Sequence, residues 1–121
     1  MATLKQIKGT AIQFLDADPV VYAGSWSSGG TLNTTRQQSA NGTTGIQTAA
    51  VATGGAASST MYGQTEQYNG SAWSEVNDLN TARKGLASCA TSNTALVVAG
   101  GNAPPTVLAN TESFNGSSWS E

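Results

Sequence analysis

Short runs of small apolar residues alternate with polar turn residues along most of this chain. The two clearest runs, QTAAVATGG at 47–55 and TALVVAGG at 94–101, each end in a pair of glycines. Runs of this length that are bounded by Gly, Asn and Ser residues predict β-strands. Short strands built from small residues can stack closely, so the pattern predicts an all-β fold.

The same pattern occurs twice, at a spacing of 46–47 residues. The matching pieces are Trp26, Trp73 and Trp119; LNTTR at 32–36 and LNTAR at 79–83; and TEQYNGSAW at 65–73 and TESFNGSSW at 111–119. So many agreements at one spacing indicate an internal repeat, which decides the architecture before any single residue does.

Each repeat is predicted to form four antiparallel strands. The first strand follows the arginine (37–41 and 84–90), the second is the apolar run, and Asn-Gly joins the third strand to the fourth. Asn-Gly is the preferred pair of a two-residue type I′ hairpin, because both of its positions need φ > 0. Four antiparallel strands in a unit of roughly 40–50 residues make one blade of a β-propeller.

This arrangement is similar to the kelch repeat. In that repeat a glycine pair follows an apolar strand, and an aromatic residue, a Trp and an Arg come after the glycine pair. The form GSWSSGGTLNTTR…TAAVATGG…TEQYNGSAW resembles the kelch-repeat proteins of tailed bacteriophages, especially marine ones. The opening LKQIKGTAIQ…ADP resembles their short leader, so the resemblance covers essentially the whole chain. It implies kelch-type propeller blades and a structural role in the virion, as a fibre or as a tail or capsid decoration.

Composition and charge narrow the choice of partners. Only 10% of residues are charged and the net charge is −2, with five scattered cations and no basic stripe for a nucleic-acid backbone. No apolar run approaches the roughly 20 residues that span a bilayer, so membrane insertion is not expected. The N-terminus has no signal-peptide core. The resemblance therefore leads us to expect synthesis in the host cytoplasm and localisation in the virion.

The residues that recur in register are predicted to have structural roles. The tryptophans could stack on sugar rings, but their recurrence in each repeat favours packing between blades. Each glutamate on a third strand shares a face with an aromatic residue, so we expect it to pair with the arginine of its own repeat. The glycine pairs allow close turns. These positions are Trp26, Arg36, Gly54, Gly55, Glu66, Tyr68, Trp73, Arg83, Gly100, Gly101, Glu112, Phe114 and Trp119.

Enzymatic chemistry is not expected. The chain contains no histidine, which removes Ser-His-Asp and Cys-His triads and histidine metal sites. Each predicted blade has one in-register glutamate and not a neighbouring pair for acid–base catalysis. We therefore predict no catalytic, cofactor-binding or metal-binding residues. Cys89, the single cysteine, is predicted to be a buried small residue and not a reactive thiol.

Two repeats do not close a propeller of about four to eight blades. Either several chains assemble the ring, or these residues belong to a longer polypeptide. Three chains would supply six blades and four would supply eight; a homo-oligomer is expected, with a trimer favoured. There are also three tryptophan strands for two sets of inner strands. Trp26 either completes the last blade of a neighbouring subunit or belongs to an array whose partner strands are missing.

The chain is expected to divide into a leader at 1–23 and two repeats within 24–121, at about 27–76 and 77–121. The leader either docks onto other virion proteins or forms a strand that covers a propeller edge. The predicted function is that of a phage structural protein whose propeller serves assembly and contacts a host receptor or glycan. The alternative is a non-viral kelch-type adaptor that binds other proteins.

Overall fold

The computed structural model of the chain describes residues 25–43 and 46–121, and the side chains of all of these except 42 and 43. The leader predicted at 1–23 lies outside these residues. All regular elements in the described ranges are β-strands, as the sequence predicts. They are β1 Ala40–Thr43, β2 Ala50–Thr53, β3 Ala56–Ala57, β4 Thr60–Met61, β5 Thr65–Tyr68, β6 Trp73–Val76, β7 Ala87–Ser92, β8 Ala95–Ala99, β9 Asn102–Ala103, β10 Thr106–Val107, β11 Thr111–Phe114 and β12 Trp119–Ser120.

Each repeat forms one four-stranded antiparallel sheet. The first sheet has the order β1-β2-β5-β6 and the second the order β7-β8-β11-β12, so that neighbours along the chain are neighbours in the sheet apart from two inserted hairpins. The hairpins β3-β4 and β9-β10 fill the segments between the second and third strands. The prediction of two four-stranded, blade-like units is confirmed, and the described residues do not close a ring.

The first strand of each sheet begins later than predicted. Gln37 and Lys84, the predicted starts, form isolated bridges to Ala56 and Asn102 of the inserted hairpins. Positive φ values directly after these bridges, 56° at Gln38 and 63° at Gly85, turn the chain before it enters the sheet. The sequence alone does not reveal this kink, because Gln rarely adopts positive φ.

The turns between the third and fourth strands are not of the predicted type I′. Only Gly70 has a positive φ, at 96°, and the N–H of Asn69 donates to the carbonyl oxygen of Ala72, so Gly70 and Ser71 are the central residues of the turn. The side-chain Oδ1 of Asn69 instead accepts the backbone N–H groups of Ser71 and Ala72, at 2.9 and 3.0 Å. Asn115 does the same in the second repeat. These are Asx turns, in which the side chain takes the place of a backbone carbonyl.

The two sheets pack face to face, and each sheet has a front face and a back face. The front face of each sheet carries its aromatic pair, Tyr68 and Trp73 in the first sheet and Phe114 and Trp119 in the second. The back face carries Val51 and Thr65 in the first sheet and Val97 and Thr111 in the second. The core lies between the back face of the first sheet and the front face of the second. Its buried members are Ala40, Val51, Leu79, Leu86, Leu96, Val98, Phe114 and Trp119.

Both glycine pairs adopt positive φ, but only the first pair lies where the two repeats meet. Gly54 and Gly55 have φ values of 63° and 99°, and Gly100 and Gly101 have 65° and 103°. A Cβ atom on Gly54 would lie 2.7 Å from the carbonyl oxygen of Arg83, which belongs to the next repeat. A Cβ atom on Gly100 would meet no atom closer than 3.4 Å. The two equivalent glycines therefore differ in how tightly their surroundings close on them.

Replacing these two glycines by alanine is expected to have unequal effects. Each substitution places a Cβ atom at positive φ, which costs roughly 1–2 kcal/mol. Gly54→Ala must also displace the Arg83 carbonyl, so its loss of unfolding free energy should exceed that of Gly100→Ala by about 1 kcal/mol or more. Urea unfolding of both variants measures the difference. Equal losses would contradict the close packing of the two repeats at this point.

Candidate functional site

A buried arginine forms the centre of each repeat. In the second repeat the side chain of Arg83 is fully buried, and its Nη2 forms an ion pair with Oε1 of Glu112. Its Nη1 donates to the carbonyl oxygens of Gly100 and Asn110, each at 3.1 Å. Its Nε donates to the carbonyl oxygen of Thr81 at 3.2 Å. One guanidinium thus links the end of β8, the start of β11 and the segment that precedes β7.

The carboxylate of Glu112 is saturated in the same way. Its Oε2 accepts the backbone N–H of Asn80 at 2.8 Å and the side-chain amide of Asn80 at 2.9 Å. Glu112 has no solvent-exposed surface. A buried charge is tolerated when it is paired and hydrogen-bonded, and both conditions hold here. The carboxylate therefore presents no surface to solvent.

The first repeat has the same ion pair and the same arginine contacts, but the side-chain amide of Asn33 donates to the carbonyl oxygen of Trp73 and not to Glu66. Arg36 pairs with Glu66, and both side chains are fully buried. Arg36 Nη1 donates to the carbonyl oxygens of Gly54 and Gln64 at 3.1 and 2.7 Å, and Glu66 accepts the N–H of Asn33 at 2.7 Å. The predicted Arg36–Glu66 and Arg83–Glu112 pairs are therefore both present. Their geometry fixes strands and does not present a reactive group.

Trp119 packs between the two repeats, as predicted. Its ring is buried, lies 5.0 Å from that of Phe114, and donates its Nε1–H to Oγ1 of Thr65 in the first sheet at 3.1 Å. The same N–H also lies 3.1 Å from the carbonyl oxygen of Asn77, in the segment between the sheets. The indole therefore joins the front face of one sheet to the back face of the other.

The other two tryptophans differ from Trp119. Trp73 is only partly buried; its ring lies 5.1 Å from that of Tyr68 and its Nε1–H donates to the carbonyl oxygen of Gly30 at 3.1 Å. Trp26 is fully exposed, so none of the described residues provides the packing between blades that was predicted for it. The physical reason is positional, because no described residue provides a sheet for Trp26 to pack against.

The structure differs from the sequence analysis at Cys89 and at a pair of buried threonines. Cys89 is exposed, so its predicted burial is wrong. It lies on the back face of the second sheet, opposite Val97, and no described residue covers that face. Sequence analysis also missed the hydroxyl pair of Thr53 and Thr65, which is buried on the back face of the first sheet with 2.7 Å between the oxygens. The sequence feature that could have indicated this pair is the Thr-Glu with which both third strands begin.

The described surface offers little chemistry for a ligand. A groove of about 360 Å³ is bounded by 25–29 and by Gln47, Thr48, Tyr68 and Gly70. Among the described residues that border this groove, Tyr68 is the one with a titratable side chain. In residues 25–43 and 46–121 no group of three or more His, Cys, Asp or Glu side chains could hold a metal ion. The same ranges contain no helix long and apolar enough to cross a membrane.

Comparison with known proteins adds no identification. No family model matches the chain, and no curated protein matches it.

Proposed function

We propose that this chain is a non-enzymatic structural protein of a bacteriophage virion, a fibre, tail or capsid decoration built from kelch-like blades. The observation that supports the proposal most directly is the duplicated Arg–Glu network. Arg36 and Glu66 in one repeat, and Arg83 and Glu112 in the next, are fully buried in contacts within their own repeat. A protein that commits its in-register charges to architecture is suited to assembly.

The aromatic residues support the same proposal. Phe114 and Trp119 lie in the core between the sheets, and Trp73 donates a hydrogen bond to the segment that precedes β1 in its own repeat. The segments that differ between repeats are the inserted hairpins, β3-β4 and β9-β10, and Val107 at the second of these is largely exposed. We propose that the sheets carry the assembly and that these hairpins present the surface that contacts a host receptor or glycan.

The proposed partners are other copies of this chain, with a trimer favoured, and other virion proteins reached through residues 1–23. The apolar residues of that leader include Ile12 and Phe14. Substituting both by aspartate removes apolar anchoring surface while leaving every residue of the two repeats in place. The repeats then serve as an internal check that the variant is folded.

Particle association tests this function. Phage particles purified from infected cells are expected to contain the full-length chain in several copies, measured by quantitative mass spectrometry. The Ile12→Asp/Phe14→Asp variant should be lost from particles and recovered in the lysate with unchanged thermal unfolding. A chain that is absent from particles and recovered instead in complexes with non-viral proteins would replace the virion proposal by the adaptor alternative.

A further inference from the structure

The back faces of the two sheets have similar residues but different environments. Val51 on the first sheet is 1% exposed, whereas Val97, its equivalent, is 38% exposed. Thr65 is buried and its equivalent Thr111 is exposed. The difference arises because the second sheet covers the back face of the first, while no described residue covers the back face of the second. The second sheet therefore shows a surface of the kind that is already used once inside the chain.

Backbone groups at this surface repeat the same asymmetry. Within the chain, the N–H of Gly55 donates to the carbonyl oxygen of Arg83 at 2.8 Å, and the N–H of Arg83 donates to that of Tyr62 at 3.2 Å. The equivalent groups on the second repeat are the N–H of Gly101 and the carbonyl of Leu108. Among the described residues, neither forms the corresponding bond. They lie where a further repeat would place an arginine backbone.

We propose that the back face of the second repeat binds the front face of the first repeat of a second copy of this chain, head to tail. The first repeat presents the groups that the internal junction uses on its opposing side, with Arg36 for Arg83 and Trp73 for Trp119. By this equivalence, Gly101 N–H donates to the carbonyl oxygen of Arg36 of the second copy. The Nε1–H of Trp73 of that copy reaches Oγ1 of Thr111, as that of Trp119 reaches Oγ1 of Thr65.

Such a contact is heterologous, because two different surfaces meet. A heterologous contact propagates until rotation closes a ring, so each copy would add its two described sheets to the ring. Three copies would give six blades and four would give eight, both within the range of known propellers. This inference rests on the assembly role proposed above and is independent of where the assembly is located.

The junction between copies is less apolar than the internal one. The front face of the first repeat has Ser39, Ala50 and Ala52 at the positions where the second repeat has Leu86, Leu96 and Val98. Apolar burial stabilises in proportion to area, at roughly 25 cal/mol per Å², so the contact between copies is the weaker of the two. The assembly should therefore dissociate on dilution while each chain stays folded.

Docking also requires the segment at 25–28 to move. By register, Trp26 of the second copy falls at the position of Trp119 of the first copy. The fourth strand of the first copy already occupies that position. Trp119 is held by two hydrogen bonds, whereas the side chains of 25–28 form none with described residues. The exposed segment is thus the one that moves aside.

Two single substitutions and their mixture test the proposal. Val97→Glu places a charge on the back face of the second repeat, and Ala50→Glu places one on the front face of the first. The wild-type chain is expected to form an assembly of at least three copies at high concentration by native mass spectrometry. Each variant alone should give the monomer, near the chain mass of 12.2 kDa. Ser117→Glu, in an exposed turn, adds the same charge away from both faces and should assemble normally.

The mixture of the two variants provides the decisive measurement. Each retains one intact face, so a 1:1 mixture should form a dimer with a single junction and no larger species. Cys89, on the back face, reports which face is covered when a maleimide reacts with it. In the mixture its reaction should slow severalfold in the Ala50→Glu chain and stay unchanged in the Val97→Glu chain. Cooperative thermal unfolding of each variant verifies that it is folded.

Several results would overturn the proposal. These are a wild-type chain that is monomeric at all soluble concentrations, folded variants that assemble like wild type, and a mixture that remains monomeric. None of them depends on finding the chain in virions. A virion protein that fails this test would refute the head-to-tail contact alone, and an assembling chain absent from virions would refute the virion role alone.

Discussion

Trp119→Ala is expected to lower the free energy of unfolding by about 3–5 kcal/mol, the range for removing a buried tryptophan. The ring is buried between the sheets and its N–H bonds to Thr65 and Asn77, so the substitution leaves a cavity and deprives both oxygens of their donor. A domain loses roughly 4–8 °C of melting temperature per kcal/mol at 60–100 residues and roughly 2–4 °C at 150–250, so the thermal transition should move by about 10 °C or more.

The other two tryptophans are matched controls for this measurement. Trp73→Ala should cost less than Trp119→Ala, because the ring is only partly buried and packs mainly on Tyr68. Trp26→Ala should change the unfolding free energy of the monomer by no more than about 0.5 kcal/mol, as for an exposed residue. The expected order is therefore Trp119, then Trp73, then Trp26. Equal losses at all three positions would contradict the arrangement of the two sheets.

Glu112→Gln is expected to lower the free energy of unfolding by about 3–5 kcal/mol, the cost of removing one partner of a buried ion pair. The substitution keeps the shape of the side chain but leaves the guanidinium of Arg83 charged and unneutralised in a site without solvent. The N–H of Asn80, which Oε2 now accepts, also loses a charged acceptor. Urea unfolding measures the loss.

Two comparisons make this prediction specific. Glu75→Gln removes the same charge from an exposed position on β6, the fourth strand of the first sheet, and should cost no more than about 0.5 kcal/mol. The double variant Arg83→Met/Glu112→Leu should not regain wild-type stability, although apolar replacements of buried ion pairs often do. The reason is that the carbonyls of Gly100 and Asn110 would lose their donor inside the protein. Full recovery would mean that these backbone contacts contribute little.

The parts of the fold that sequence could predict are those contained within one repeat. Glu66 and Arg36 could be paired in advance because charge is scarce, both types recur, and the alternation of a strand places Glu66 on the face of Tyr68. The four-strand order follows for the same reason, since every pairing in a sheet joins neighbouring segments of one repeat. Because the pattern occurs twice, an interpretation of one copy must also fit the other copy.

The parts that could not be predicted depend on what lies beside a repeat. Cys89 and Trp26 occupy positions that a repeat would bury, but each faces a side on which no described residue provides a neighbour. The kink at Gln38 was hidden for a different reason. Its equivalent is Gly85, and only the glycine signals a positive φ in the sequence. For Cys89 and Trp26, position within the array of repeats, and not residue type, decides whether the side chain is buried.

The confinement of each Arg–Glu network to its own repeat has a consequence for cooperativity. Each buried ion pair is compensated inside its own unit, so the coupling between the two units is carried by the surface that they share. Such a chain behaves as a short one-dimensional lattice with nearest-neighbour interactions, in which the two ends are the weakest sites because each lacks a neighbour. Local unfolding should begin at a unit that has only one neighbour. In a closed ring every unit has two neighbours.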